Sequence, residues 1–211
     1  MLALRNHTGP WPPRMSTSRP VVIVLGCPAS TGSSTAAASD GGLAQAIACA
    51  RASALPLLAV VGVSMLPQAL AHLPVRDVVS LPDGCGLGAA IAAGVAARVD
   101  AGGWVLLPAV RPLAQPTTLA AVARALAHHP VAYAQHEGRP GRPVGFGAEL
   151  YSELVRLDDD TSARRLLARY PSVGVDVDDP GALPPSGVAD GLTLLRAVVD
   201  DAAPRERRRL G

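Results

Sequence analysis

Two long apolar runs constrain the fold of this chain more strongly than any other feature of its sequence. Residues 21–25 read VVIVL, and residues 57–63 read LLAVVGV. A strand with one face in water would show a polar residue at every second position, so unbroken runs of this kind are typical of strands buried on both faces. The sequence therefore predicts a central sheet that is covered by helices on both sides.

Strand-like and helix-like segments alternate along the remainder of the chain. Further strands are predicted at residues 77–81, 104–107, 131–135 and 173–177, and helices at residues 42–54, 65–73, 87–99, 116–127, 162–170 and 191–199. Asp160 or Thr161 is the expected N-cap of the helix at residues 162–170, and residues 137–142 are expected to form a turn-rich excursion. This alternation predicts a three-layer α/β/α sandwich around a mostly parallel, Rossmann-like sheet.

Three loops rich in small residues follow predicted strands, at residues 26–34, 82–86 and 108–112. In open α/β sheets, ligands bind outside the carboxyl ends of the strands. We therefore expect the three loops to share one rim of the sheet and to form the binding site. Asp176, Asp178 and Asp179 belong to the last predicted strand or follow it, and we expect them to be solvated charges.

The charge of the chain excludes two classes of chemistry. A net charge of +2 over 211 residues argues against a nucleic-acid binder, which would concentrate basic residues on one face. All 19 basic residues are arginines. Without lysine, the chain can neither form a Schiff base nor place an ammonium group against a phosphate.

Cysteine spacing and the two ends of the chain bound its location and organisation. Cys27, Cys49 and Cys85 form no C-x-x-C pair, which excludes a zinc pattern and a disulfide framework and favours a reducing cytosol. No apolar run approaches the roughly 20 residues that a membrane span needs, so no membrane partner is expected. We expect a disordered leader at residues 1–20, with Met15 as an alternative start, one α/β domain at residues 21–200 and a basic tail at residues 201–211.

The most specific motif lies at residues 107–119, which read LPAVRPLAQPTTL. It resembles the L-P-A-D-M-P-L-V-x-P-x-T-L motif of the MobA-like NTP transferase family, the molybdenum cofactor cytidylyl- and guanylyltransferases. The resemblance extends over residues 21–199 and implies an α/β fold of the nucleotide-diphospho-sugar transferase type. It also implies that Val110 stands where the family has a metal-binding aspartate, and an isopropyl group cannot coordinate a cation.

Two further motifs of the family keep their glycine and proline positions in this chain, but their charged or polar residues are replaced. The glycine loop L-A-A-G-x-S-x-R-x-G reads LGCPASTGS at residues 25–33, with Thr31 in the arginine position and no lysine after it. The pattern N-P-x-x-x-G-x-x-x-S-x-x-x-G, which shapes the base and ribose pocket, keeps Pro82 and Gly86 but loses its asparagine and serine. The resemblance therefore implies a nucleotide site formed by Gly26, Ser30, Thr31, Gly32, Ser33, Pro82, Gly86 and Arg111.

Later landmarks concern the acceptor and a second metal ligand. R-G-H-P-V-x-F is matched by PGRPVGF at residues 140–146, with Arg142 in the histidine slot, and Asp160 and Arg164 agree with L-x-G-D-x-G-A-R. These three residues are the acceptor-side candidates, although helix N-terminal charge is the favoured explanation of the acidic run at residues 158–160. In L-x-D-I-D-T-P-x-D-L, matched by residues 183–192, the second metal-binding aspartate falls on Gly187.

The altered residues all bear on the neutralisation of a triphosphate, which nucleotidyl transfer achieves with cations and positioned donors. We therefore expect a catalytically degenerate family member without a metal site, which serves as a ligand- or protein-binding module, for instance beside molybdenum-enzyme maturation. The alternative is an active nucleotidyltransferase that uses Mg²⁺ and CTP or GTP, acts on a phosphorylated acceptor such as molybdopterin, and recruits Arg111, Arg142, Arg164 and Asp160. A sensor that binds a nucleotide without turnover is the third hypothesis.

Overall fold

The computed structural model of the protein describes residues 18–26, 40–109, 114–159, 162, 165–166 and 169–183. The strands are β1 (Val21–Gly26), β2 (Leu57–Gly62), β3 (Val78–Leu81), β4 (Gly103–Pro108), β5 (Val131–His136), β6 (Arg139–Gly147) and β7 (Ser172–Asp176). The helices are α1 (Asp40–Ala52), α2 (Leu66–His72), α3 (Leu87–Ala96), α4 (Pro116–Ala125) and α5 (Tyr151–Leu154). Ser162, Arg165, Leu166 and Arg169 are also helical, and the closing helix predicted at residues 191–199 lies outside the described residues.

The strands form one seven-stranded sheet in the order β3-β2-β1-β4-β6-β5-β7. Neighbouring strands are parallel from β3 to β4 and again between β5 and β7, whereas β6 runs antiparallel to both β4 and β5. One apolar cluster packs between the sheet and the helices α3 and α5, and a second packs between the sheet and α1, α2 and α4. The predicted three-layer α/β/α sandwich with a mostly parallel sheet is confirmed.

Successive residues of the central strands alternate between the two clusters, as the unbroken apolar runs require. Ile23 and Leu106 pack under α3, while Val24 and Leu107 pack under α1 and α4, and none of the four is more than 2% exposed. Burial of one such side chain contributes about 1.5–3 kcal/mol. The helix α3 lies close to the sheet because it carries Gly94, where a Cβ would stand 2.9 Å from Cγ2 of Ile23.

The turn expected at residues 137–142 is wrong for most of its length. It is confined to Glu137 and Gly138, whose φ angles are +51° and +71°, and β6 begins at Arg139. Glycine and proline usually interrupt strands. Here glycine is needed for close packing, because a Cβ on Gly141 would lie 2.4 Å from the carbonyl oxygen of Ala182. A local sequence pattern cannot reveal contact with a segment that follows β7.

The helix α3 ends at Ala96, earlier than the predicted residue 99. Its continuation turns back towards the sheet, where the carbonyl oxygen of Arg98 accepts a hydrogen bond of 3.1 Å from the indole N–H of Trp104 in β4. In the part of the chain that the structure describes, no helix has the length and apolar character needed to cross a membrane.

Candidate functional site

Four parallel strands end at one edge of the sheet, which we call the rim. Their last residues are Gly26, Gly62, Leu81 and Pro108. The strands β5 and β7 point the same way, because β6 reverses direction between β4 and β5. For the part of each loop that the structure describes, the prediction that the three loops share one rim is therefore confirmed.

Gly26 lies at a crowded place where the chain leaves the sheet. A Cβ on this residue would stand 3.0 Å from Cγ1 of Val61 and 3.3 Å from Cδ1 of Leu43. The end of β1 therefore runs closely between β2 and α1. Ser30, Thr31, Gly32 and Ser33, the other predicted residues of this loop, lie outside the described residues.

The loop after β3 is fixed to the end of β2 by a carboxylate that our sequence reasoning missed. Oδ1 of Asp83 accepts hydrogen bonds from the backbone N–H of Ser64 at 3.2 Å and from its hydroxyl at 2.8 Å. The neighbouring Pro82 is exposed, and Gly84 completes the turn with a φ of +77°. The turn sequence P-D-G is the signal that could have identified this residue.

Gly86 immediately precedes α3, a helix of 10 residues that begins at the rim. The N–H groups in the first turn of a helix carry partial positive charge and favour anions. The same turn is closely packed, since a Cβ on Gly88 would lie 2.5 Å from the carbonyl oxygen of Asp159. The backbone of Asp159 therefore borders the start of α3.

This acidic run acts as a helix cap. Oδ1 of Asp159 accepts a hydrogen bond of 2.6 Å from the N–H of Ser162, and the Ser162 hydroxyl donates to the carbonyl oxygen of Asp159 at 2.8 Å. Such a bond is typical of an N-cap, so Asp159 acts as one, while the expected N-caps Asp160 and Thr161 lie outside the described residues. Asp160 and Arg164, two of the acceptor-side candidates, lie outside the described residues.

The loop with the landmark motif is held at both of its described ends. The N–H of Ala109 donates to the carbonyl oxygen of Leu25 at 2.9 Å, and Sγ of Cys49 donates to the carbonyl oxygen of Ala114 at 2.9 Å. Burial raises the pKa of the Cys49 thiol, and the negative charge of Asp179 raises it further. The thiol therefore remains protonated, and a hydrogen-bond donor, at neutral pH.

Asp179 is buried, so the expectation that it is solvated is wrong. It is only 3% exposed, and its Oδ2 accepts hydrogen bonds from the N–H of Gln115 at 2.7 Å and from the hydroxyl of Thr118 at 2.6 Å. The expectation fails because these donors belong to the start of α4, which only the tertiary structure brings against β7. Asp176 and Asp178 are exposed, as expected.

Arg142 is the charged candidate that the structure places near the rim. It is only 5% exposed. It lies in β6 two residues before Val144, and because Val144 pairs with Leu106 in antiparallel register, Arg142 lies towards the end of β4. A buried guanidinium is costly unless its charge is compensated, and its fork of donors suits phosphate and carboxylate groups. Arg139, on the same strand, is exposed.

The described residues do not fit a metal ion held by the protein. Among them, no three side chains of His, Cys, Asp or Glu come together in a group that could hold a metal. The carboxylate of Asp179 is near the landmark loop, but donors from α4 already engage it. The sequence has valine at the landmark position itself, and Val110, Arg111 and Gly187 lie outside the described residues.

Comparison with known families agrees with this architecture. A family model described as the MobA-like NTP transferase domain matches residues 39–173, which is more than half of the chain. Among curated proteins, a sequence comparison finds no match.

Several solved structures are similar to the chain in fold. Rv0371c from Mycobacterium tuberculosis H37Rv is 22% identical with a TM-score of 0.64, over 88% of this chain and 100% of that one, and it has also been solved in complex with manganese. A nucleotidyl transferase from Methanothermobacter is 15% identical with a TM-score of 0.59, over 87% and 99%. Molybdopterin-guanine dinucleotide biosynthesis protein A from Archaeoglobus fulgidus is 14% identical with a TM-score of 0.51, over 86% and 99%. At such identities, these similarities show the common fold.

Proposed function

The chain belongs to the MobA-like NTP transferase family, and from that membership we propose that it binds a nucleotide or another phosphorylated ligand at the rim without carrying out metal-dependent transfer. One observation carries the proposal: the strand ends of the rim are present, while residue 110, where the motif resemblance implies a metal-binding aspartate, is valine. A binding protein needs the rim, whereas the transfer also needs the carboxylate.

The two described ends of the landmark motif are fixed in the fold. Pro108 pairs with Leu25 at the end of β4, and Gln115 directly precedes α4. Removal of one preorganised electrostatic group typically lowers a rate by about 10²–10³. The aspartate is replaced by Val110, the loop arginine by Thr31, and the lysine is absent. We therefore propose that turnover is lost together with the metal site.

Three kinds of donor support phosphate binding in this proposal. The first turn of α3 after Gly86 offers backbone N–H groups to an anion, and a small-residue loop such as the one after Gly26 offers more of them. Arg142 supplies a permanent positive charge, with Arg111 as a second cation on the landmark loop. Because the chain has no lysine, arginine is its only side chain with a permanent positive charge.

The ligands that we propose are CTP, GTP or a phosphorylated pterin such as molybdopterin, because the family comprises molybdenum cofactor cytidylyl- and guanylyltransferases. A nucleotide sensor is one form of this function, and a partner in molybdenum-enzyme maturation is another part of the proposal. A cytosolic location belongs to it as well, supported by the isolated cysteines, of which Cys49 and Cys85 are free thiols.

Isothermal titration calorimetry tests the proposal directly. CTP, GTP and molybdopterin are each titrated into the full chain, once with Mg²⁺ and once with EDTA, and pyrophosphate release is followed in parallel. We expect binding that is independent of Mg²⁺ and no release of pyrophosphate. A dinucleotide formed from molybdopterin and CTP or GTP would contradict the loss of catalysis. A lack of binding by every ligand at millimolar concentration would contradict the binding function.

The arginine pair on β6 provides a matched comparison for the same assay. Arg142→Gln is expected to weaken ligand binding about tenfold, because it removes a charge-assisted hydrogen bond to phosphate. Arg139→Gln removes an equal charge from an exposed position on the same strand and is expected to leave the affinity nearly unchanged. Equal effects of the two substitutions would show that Arg142 acts only through the net charge.

Active nucleotidyl transfer to a phosphorylated acceptor is the second candidate function, and the burial of Arg142 favours it. In this case Arg111, Arg142, Arg164 and Asp160 would take over the roles of the missing groups. A single-turnover assay with radiolabelled CTP or GTP, Mg²⁺ and molybdopterin separates the two candidates. Transfer of label to the pterin supports the enzyme, and recovery of intact bound nucleotide supports the binding protein.

A further inference from the structure

A buried carboxylate connects parts of the rim that are distant in the sequence. Asp179 follows β7, and its side chain lies against the first residues of α4. Oδ2 accepts hydrogen bonds from the N–H of Gln115 at 2.7 Å and the hydroxyl of Thr118 at 2.6 Å, and Oδ1 accepts one from the N–H of Gly181 at 3.0 Å. Both oxygens are therefore engaged inside the fold, so this carboxylate supports other groups and is not itself a ligand.

The backbone of Asp179 is anchored as well. Its carbonyl oxygen accepts a hydrogen bond of 3.0 Å from the N–H of Ala182 and so closes the 3₁₀ turn Pro180–Ala182. Nδ1 of His136, the last residue of β5, lies 3.2 Å from the backbone nitrogen of Asp179 and 3.0 Å from the carbonyl oxygen of Val177. Either tautomer of this histidine therefore has a backbone partner.

The turn Pro180–Ala182 packs directly on β6 beside Arg142. A Cβ on Gly141 would lie 2.4 Å from the carbonyl oxygen of Ala182 and 3.5 Å from that of Ala134. No side chain fits between the turn and the strand, and Gly141 is the residue that precedes Arg142. Because closely packed interiors transmit displacement, a shift of the turn would move the backbone that carries Arg142.

We propose that Asp179 is a positioning residue for Arg142. By joining α4, the end of β5 and the turn over β6, it keeps the Arg142 guanidinium at the place where the phosphorylated ligand binds. The inference rests on the proposed function, since it requires a ligand at the rim. Support of this kind preorganises a binding group without touching the ligand.

Two substitutions disturb the contact between the turn Pro180–Ala182 and β6, one on the side of Asp179 and the other on the side of Gly141. Asp179→Asn keeps the size of the side chain but removes its charge and one acceptor, while Gly141→Ala forces a Cβ against the carbonyl oxygen of Ala182. Ala121→Gly is the matched control, because it lowers the helix propensity of α4 at a half-buried position. It destabilises the same helix but keeps Val122, which packs on Gly145 of β6, in place. If Asp179→Asn does not fold, Gly141→Ala still tests the proposal.

Affinities for CTP and GTP are measured for each variant, both in the wild-type background and together with Arg142→Gln. Asp179→Asn and Gly141→Ala are each expected to weaken binding about five- to tenfold in the wild-type background and to add nothing in the Arg142→Gln background, because coupled residues are not additive. Ala121→Gly is expected to leave the affinity unchanged. Equal losses in both backgrounds, or an equal loss in the control, would overturn the proposal.

Hydrogen exchange of residues 114–118 and 139–143, followed by mass spectrometry, needs no ligand. Asp179→Asn is expected to speed exchange in both segments, whereas Ala121→Gly is expected to affect only the first. Unchanged exchange in residues 139–143 would overturn the inference even if nucleotides bind. A wild-type chain that binds none of CTP, GTP and molybdopterin would refute the proposed function instead, and the exchange result would still decide whether Asp179 holds β6.

Discussion

The carboxylate of Asp179 and the hydroxyl of Thr118 form a buried hydrogen bond of 2.6 Å, although the two residues are 61 positions apart. The N-cap of a helix usually comes from the residue just before it. In α4 that residue is Gln115, whose side chain makes no capping bond, and Asp179 takes over the role from beyond β7. The start of α4 and the segment after β7 therefore stabilise one another.

Loss of this hydrogen bond should lower stability measurably. Thr118→Val keeps the branched shape but leaves one acceptor of a buried carboxylate without its donor, so we expect a loss of about 1–2 kcal/mol in the free energy of unfolding. Urea denaturation measures the change. Thr117→Val, at an exposed position of the same helix, is expected to stay within about 0.5 kcal/mol of the wild type. Similar losses for both variants would contradict the assignment.

Gly94→Ala should destabilise the protein even though alanine is the better helix former. A Cβ at this position would lie 2.9 Å from Cγ2 of Ile23 and 3.0 Å from Cγ2 of Val60, so α3 has to move away from the sheet. Overpacking of this kind costs about 1–3 kcal/mol, which outweighs a gain of about 1 kcal/mol in helix propensity. Thermal unfolding measures the net effect.

Ala93→Gly, at a half-buried position inside the same helix, gives mainly the propensity term. We expect it to lower the stability by about 0.5–1 kcal/mol. A Gly94→Ala variant with a higher melting temperature than the wild type would show that α3 does not need the close approach.

Val110→Asp should restore part of the missing dependence on a metal ion. A carboxylate at this position provides an oxygen ligand for Mg²⁺, which prefers carboxylates together with substrate phosphates. Under the proposed function, we expect the affinity of the variant for CTP or GTP to increase at least threefold when Mg²⁺ replaces EDTA, whereas the wild type shows no difference. Val110→Asn controls for polarity without the charge. Identical Mg²⁺ dependence in Val110→Asp and wild type would refute the assigned position.

Cys49 should react slowly with alkylating agents. Burial, followed by the charge of Asp179, raises the pKa of its thiol above the ordinary value of 9.0, and only the thiolate is nucleophilic. Iodoacetamide labelling followed by peptide mass spectrometry is therefore expected to show a rate that keeps rising with pH beyond that ordinary value. Asp179→Asn removes one of the two causes and should shift the rate profile to lower pH.

Thr118→Val serves as the control for this experiment, because it disturbs the same cap but leaves the negative charge of Asp179 in place. Its rate profile is expected to keep the pH dependence of the wild type. An equal shift in both variants would mean that local opening, and not the charge, governs the reactivity of Cys49.

The apolar runs made the architecture predictable. The segments that became β1 and β2 are continuous and branched, and burial on both faces leaves no other arrangement for them. The strand β6 was not predictable from residues 139–147, because its glycines are required by tertiary contacts that a local pattern does not show. Gly141 packs against Ala182, and Gly145 packs against Val122. Without the packing, glycines in such a segment indicate a loop.

In the candidate site, too, some residues could be predicted from the sequence and others could not. The positions of Gly26, Pro82 and Gly86 at strand ends followed from the alternation of strands and helices, since parallel strands end at one edge. Asp83 and Asp179 were missed or misjudged, because their partners Ser64 and Thr118 lie on other elements. An aspartate near a strand end looks the same in the sequence whether its carboxylate is hydrated or accepts hydrogen bonds from a buried helix terminus.

The sequence by itself determined the buried parallel strands of the sheet and the lack of a carboxylate at residue 110, because hydrophobic periodicity and side-chain chemistry are local properties. Only the tertiary structure decided which charges are buried and what holds them. The side chains of Asp179 and Arg142 are buried, at 3% and 5% exposure, while Asp178 and Arg139 are exposed to solvent. The cost of burying a charge depends on the partners that long-range packing supplies, and no neighbour in the sequence specifies them.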